Sequence, residues 1–236
     1  MATILNIETS TEVCSVSLAK HGETLFLKES TEGLNHSQLL TVFIEELFES
    51  ADFDKQQLDA VAVSKGPGSY TGLRIGVSVA KGLCYGLNIP LIGVGSIDAM
   101  GHYVAENVAD FYTESNENLL FCPMIDARRM EVYTAIFNKK GELTQAVSAE
   151  IIDESSFSSL LEENKILFFG NGAEKCKAAL THPNAVFEGP AKTSARFMQK
   201  LSENKFNQRE FENVAYFEPF YLKDFVATIP KNKVLK

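Results

Sequence analysis

A short β-prone run closed by an acidic residue occurs twice in this chain, and the same series of elements follows each time. Ile7-Glu8 aligns with Ile125-Asp126, Glu12-Val13 with Glu131-Val132, and Gly22 with Gly141, one residue being inserted in the second copy. In the first copy, 3–8, 13–19 and 24–28 read as strands, with Lys20-His21-Gly22-Glu23 as a hairpin turn. Asn35 reads as a helix cap with Gln38 as its capping-box partner, and Leu39, Leu40, Phe43, Ile44, Leu47 and Phe48 recur at helical spacing. A buried strand at 61–63, a glycine-rich turn, a second helix and a strand at 90–94 complete the unit. The second copy reads as strands at 119–125, 131–137 and about 142–151, with Asn138-Lys139-Lys140-Gly141 as the hairpin turn. A helix near 155–163, a strand at 166–169, a helix at 173–180, a weak strand at 185–187 and a helix from Ser194 follow.

Two βββαβα units in tandem predict an α/β chain of two ribonuclease-H-like lobes, each a mixed sheet flanked by helices, as in the actin-like ATPase group. Residues 1–104 are expected to form the first lobe and 105–236 the second, with the last segment packing back on the first. The polar, acidic stretch 101–118 is the expected crossover.

The composition narrows the setting. A formal net charge of −9 leaves no field that would hold a phosphate backbone unaided. The most apolar region, 75–94, is broken by Lys81, Gly82, Gly86, Asn88 and Pro90, so no window reads as a membrane span. The opening residues run into the first strand with no basic region and no cleavage pattern, and Cys14, Cys84, Cys122 and Cys176 stand singly without framework spacing. These features predict a soluble protein of the reducing cytoplasm.

The densest local signal is Gly66-Pro67-Gly68-Ser69-Tyr70-Thr71-Gly72-Leu73-Arg74-Ile75-Gly76, between a strand and a helix. Such a turn could cradle an anion, but no Gly-Lys-Ser/Thr closes it and Pro67 breaks the nucleophile-elbow frame around Ser69. Its glycines therefore serve geometry. Gly72, Gly76 and Ala80 fall at i, i+4 and i+8, a stripe of small side chains that lets another body come close. That body is either a partner helix or the lobe's own helix and sheet.

Residues for chemistry are sparse. Among His21, His36, His102 and His182 no two share ligand spacing on one helix, and Leu40 stands four residues after His36. His36 reads as a helix-start residue making a hydrogen bond, and no metal ligands are assigned. For phosphoryl transfer, Glu8 and Asp126 occupy the right strand ends. Yet Glu8-Thr9-Ser10-Thr11 lacks glycine, and Arg128-Arg129 stand where a second phosphate turn would be. Glu8, Thr9, Ser10, Asp126, Gly170 and Gly172 mark at most a vestigial nucleotide site, with weak ADP or ATP binding left open. No catalytic residue is assigned.

The opening 4–11, Asn35-His36-Ser37, the 66–76 segment, Asp126-Ala127-Arg128 with Glu131-Val132-Tyr133, and Pro219-Phe220-Tyr221-Leu222-Lys223 together resemble the TsaB (YeaZ) family. The resemblance runs in order along nearly the whole chain; 66–76 is highly specific and 140–210 adds little. It implies a non-catalytic partner of the metal-dependent transferase TsaD, joined by the ATPase TsaE, in forming N6-threonylcarbamoyladenosine at position 37 of ANN-decoding tRNAs. It further implies contact with tRNA only through the complex, a homodimer through the same surface, and docking by the first two helices. On this chain that surface would comprise His36, Leu39, Leu40 and Phe43 with Gly72, Arg74, Ile75, Gly76, Val79 and Ala80. Any nucleotide would then lie at the interface of the complex. The alternative is a metallopeptidase-like or nucleotide-dependent enzyme of the actin-like fold acting alone.

Overall fold

The computed structural model describes residues 2–33, 35–114 and 118–223. It contains two five-stranded sheets of the same design. The first is built from β1 (Thr3–Glu8), β2 (Cys14–Lys20), β3 (Glu23–Ser30), β4 (Ala60–Gly66) and β5 (Leu91–Gly95), in the order β3-β2-β1-β4-β5. The second is built from β6 (Leu119–Asp126), β7 (Glu131–Phe137), β8 (Leu143–Ile151), β9 (Lys165–Phe169) and β10 (Ala185–Val186), in the order β10-β9-β6-β7-β8. In each, the first three strands form an antiparallel meander and the remaining two add in parallel beside the opening strand. Antiparallel neighbours need only a tight turn, whereas parallel ones need a crossover, which is why helices enter only after the third strand of each copy. The chain is thus a pair of ribonuclease-H-like lobes.

The first lobe carries α1 (His36–Ser50) and α2 (Tyr70–Leu87) side by side on one face of its sheet. Leu40, Ile44 and Leu47 of α1 and Val77, Ala80 and Cys84 of α2 close a core with Leu5, Ile7, Val61 and Val63. The Asn35 side chain makes no cap hydrogen bond and instead donates from Nδ2 to the Glu32 carbonyl at 3.3 Å, so the expected capping box is absent. Ser69 caps α2, its hydroxyl accepting from the Gly72 amide at 3.3 Å.

α3 (Ser96–Glu106) follows β5 directly, in a stretch whose second half the sequence reading assigned to the crossover. Ile97, Met100 and Val104 give it an apolar face, but Gly101 in mid-helix hides the pattern. That glycine has a packing reason, because the Phe137 ring lies against its Cα. α3 brings Ala62 and Val94 of the first sheet and Phe121 and Phe137 of the second into one core. The expected boundary after residue 104 therefore falls inside a helix shared by both halves, and 115–117 of the expected crossover lie outside the described residues.

The second lobe is poorer in helix. α4 (Ser158–Glu163) has six residues, and the expected helix at 173–180 is a 3-10 turn at Glu174–Cys176 among other turns. With Gly172 before it and Pro183 soon after, that segment is too short to repay helix nucleation. The expected helix from Ser194 is a 3-10 turn, Ala195–Met198, leading into α5 (Gln199–Gln208). Beyond α5 the chain returns to the first lobe. The Glu212 amide donates to the Leu91 carbonyl at 2.8 Å and the Phe220 amide to the Lys65 carbonyl at 2.7 Å. Among the described residues, no helix is long and apolar enough to cross a membrane.

Candidate functional site: the first two helices and the interlobe turns

Periodicity decides which side of α2 faces the protein. Gly72, Leu73, Gly76, Val77, Ala80 and Cys84 are buried, and Gly72 and Gly76 lie against the exit of β1. A Cβ on Gly72 would overlap the Thr9 carbonyl oxygen, and one on Gly76 the Thr9 hydroxyl. A Cβ on Gly68 would overlap the Ser10 carbonyl oxygen. Gly72 and Gly76 are therefore occupied from within by the protein's own Thr9 loop, the second of the two bodies that the spacing allowed.

His36 belongs to the same closure. It is 2% exposed, and its Nε2 lies 2.9 Å from the Thr11 carbonyl oxygen, so the ring donates there. Gly72 makes room for the ring, since a Cβ at that position would come within 3.1 Å of His36 Cδ2. Of the ten residues expected on a docking face, His36, Leu40, Gly72, Gly76 and Ala80 are buried inside the lobe. Leu39, Phe43, Ile75 and Val79 are half-buried, packed on the core yet reaching the surface, and Arg74 is exposed. Val42 is 43% exposed on α1, between Leu39 and Phe43 in sequence. On the outer side of α2, Ser78, Gly82 and Gly86 repeat the i, i+4, i+8 spacing, and a Cβ on either glycine would meet nothing within 4 Å. This outward stripe was legible by the same rule as the inward one.

Arg74 is held rather than free. Its Nε donates to the Tyr221 hydroxyl at 3.1 Å and its guanidinium lies 4.2 Å from the Tyr70 ring centroid. The Tyr70 and Tyr221 rings are 5.0 Å apart, so the returning tail supports one flank of α2. Lys81 supports it further along, donating to the carbonyls of Ala215 and Phe217 at 3.1 Å each.

The strand-end residues lie in two closed turns. Glu8 is 1% exposed, and burial raises its pKa; hydrogen bonds from Ser10 and Ser64 oppose that shift. The Ser10 amide donates to Glu8 Oε1 at 2.5 Å and the Thr9 amide to Ser64 Oγ at 3.2 Å. Asp126 is exposed and pairs with Lys175 at 2.5 Å, while accepting from the Arg128 amide at 2.7 Å. Arg128 and Arg129 both adopt positive φ, 73° and 51°, so the turn keeps a glycine-like backbone while carrying two long cations. Gly170 and Gly172 serve packing: a Cβ on the first would overlap the Met124 carbonyl oxygen, and one on the second would come within 2.9 Å of Val132 Cγ1. Asn171 between them spans the lobes, donating to Glu12 Oε2 at 2.8 Å and accepting from the Asp126 amide at 3.0 Å. A buried contact of 2.7 Å between the Thr11 and Thr193 hydroxyls closes the same seam. Neither bridge was read from the sequence, because each joins loops far apart in the chain.

Among the described residues, no group of three or more His, Cys, Asp or Glu side chains converges as a metal site.

Against this geometry the comparisons are specific. The family model for TsaD, tRNA N6-adenosine threonylcarbamoyltransferase, matches residues 31–231. A tRNA threonylcarbamoyladenosine biosynthesis protein TsaB from Bacillus subtilis is 30% identical over 226 residues, covering 94% of each chain. The chain belongs to the TsaB family. A TsaB from Haemophilus influenzae is 29% identical over 234 residues, 95% of each chain. Among solved structures, YeaZ from Pseudomonas aeruginosa superposes with a TM-score of 0.76 at 24% identity, over 94% of this chain and all of that one. A second Pseudomonas aeruginosa structure, described as similar to peptidase YeaZ, gives 0.78 at 23% identity with the same coverage. These structures share the two-lobe fold, and the TsaB relatives carry the family assignment.

Proposed function

We propose that the chain serves tRNA threonylcarbamoyladenosine formation as a non-catalytic cytoplasmic partner, docking the transferase TsaD through the outward faces of α1 and α2. TsaE joins that assembly, and tRNA is reached only through it. The observation carrying this reading is the division of α2 into two faces. Gly72 and Gly76 of its inward stripe are taken up by Thr9, whereas its outward stripe, Ser78, Gly82 and Gly86, is exposed among the described residues. Two adjacent helices offering small residues beside half-buried Leu39, Phe43, Ile75 and Val79 suit a helix pair packing across them. A homodimer would use the same surface and compete with the transferase for it.

Hydrogen bonding supports the lack of chemistry. A phosphate chain between the lobes would need free backbone N–H groups in both strand-end turns. Those of Thr9 and Ser10 are taken by Ser64 and Glu8, and those of Ala127 and Arg128 by Glu131 and Asp126. The residues present do not fit a nucleotide bound between the lobes as in an ATPase, and a nucleotide at the interface of the complex would be held mainly by the partner. His36 Nε2 is committed to the Thr11 carbonyl, and Leu40 is buried one turn on. A transferase activity of this chain would therefore need ligands from elsewhere.

The test is reconstitution: purified chain, TsaD and TsaE from one source, with each omitted in turn and threonylcarbamoyladenosine scored in tRNA. Loss of product without this chain, and none from this chain alone, is expected.

A further inference from the structure

A cavity of about 320 Å³ lies in the second lobe, away from α1, α2 and the two strand-end turns. It lies between β7–β8 and the segment 155–160 that leads into α4. Strand register places its lining. Val132, Thr134 and Ile136 of β7 pair with Glu150, Ser148 and Gln145 of β8, so these β8 side chains stand on the same sheet face as the β7 ones. Ile136 and Ile152, both buried, form an apolar floor with Phe157 and Leu160. Phe157 is fixed by its ring contact with Phe168, 5.4 Å between centroids.

The rim is polar and one-signed. Glu150 is the single charged residue of the lining, and among the described residues it forms no salt bridge. The hydroxyls of Ser155 and Ser156 are turned to Asp153. Those bonds hold the Asp153 carboxyl below its ordinary range. Among the described residues, no lysine, arginine or histidine lines the cavity. An apolar floor, hydroxyl walls and an unpaired carboxylate match a short alkyl chain ending in a cation, and the volume lies at the small end of ligand pockets.

We propose that this cavity binds an alkylammonium group, its chain on Ile136, Ile152 and Phe157 and its cation at Glu150. The group comes either from a free amine or from a lysine side chain of a peptide. The test uses the full-length chain, following amide shifts on titration with n-pentylammonium and, separately, with acetyl-Gly-Lys-Gly-amide. Pentanoate and pentanol serve as anionic and neutral controls. Saturable shifts at Gln145, Ser148 and Ser158 with either cation, weakened about tenfold or more in Glu150→Gln, support the site; the tighter of the two identifies the source. Glu150 is exposed, so the variant keeps the fold, which its unchanged spectrum elsewhere would verify. No saturation by either cation, equal binding of pentanoate or pentanol, or undiminished binding by Glu150→Gln overturns it.

Discussion

A Cβ placed on Gly76 would overlap the Thr9 hydroxyl, so α2 and the exit of β1 meet at a position where any larger residue must displace Thr9. The contact belongs to the isolated chain and exists before any partner arrives. Gly76→Leu should therefore destabilise the protein itself, by about 1–3 kcal/mol or more, as overpacking of a close contact does. Urea unfolding of the purified variant would show it, and an unchanged midpoint would mean the loop gives way freely.

Gly82 supplies the contrasting case on the same helix. Among the described residues nothing lies within 4 Å of a Cβ there, so Gly82→Ala should stabilise the isolated chain by about 0.8–1 kcal/mol through helix propensity alone. A bulky Gly82→Trp should leave stability near that of the parent while weakening TsaD binding at least tenfold. Unfolding curves and a pull-down on the same preparations separate the two effects.

Glu8 gives the chain a pH signature. Its pKa is raised in the fold by burial, so the folded state holds its proton more tightly than the unfolded state does. The stabilisation linked to that proton is complete below the unfolded value of 4.5 and is lost as pH rises through the folded value. Glu8→Gln, which keeps the acceptor for the Ser10 amide, should raise the melting temperature at pH 8 and change it little at pH 4. A gain of equal size at both pH values would show that Glu8 does not titrate in this way.

The four cysteines should be silent toward thiol reagents in the native state. All are buried, and burial pushes Cys14 and Cys84 up to about 11 and Cys122 to about 12, with Cys176 also raised. A colorimetric thiol titration at pH 8 should count four thiols in denaturant and none in native protein over the same minutes.

The duplicated strand order was legible because short β-prone runs and hairpin glycines are local signals. Gly22 and Gly141 both take positive φ, 72° and 74°, at matching turns. The helices were less so. α3 was missed because Gly101, placed against Phe137, lowers the apparent helical tendency of its own segment. The site divided along the same line. Spacing identified Gly72, Gly76 and Ala80 as a close-packing stripe but carried no information on which body fills it. That depended on the return of the chain at Thr9, and Gly82 and Gly86, equally visible, became informative only once α2 had an inside. Asn171 bridging Glu12 and Asp126 depends on the two lobes being assembled, and no local pattern encodes it.

The central claim is that this chain contributes a surface and no chemistry, and one titration tests it most directly. Threonylcarbamoyladenosine formation by TsaD and TsaE is measured with increasing amounts of parent chain, Gly82→Trp, or Asp126→Asn with Glu8→Gln combined. The account predicts no product from the chain alone, a shifted or abolished response for Gly82→Trp, and a near-parental plateau for the combined strand-end variant. Product from the chain alone, or loss of the plateau in the strand-end variant with TsaD binding intact, would contradict it.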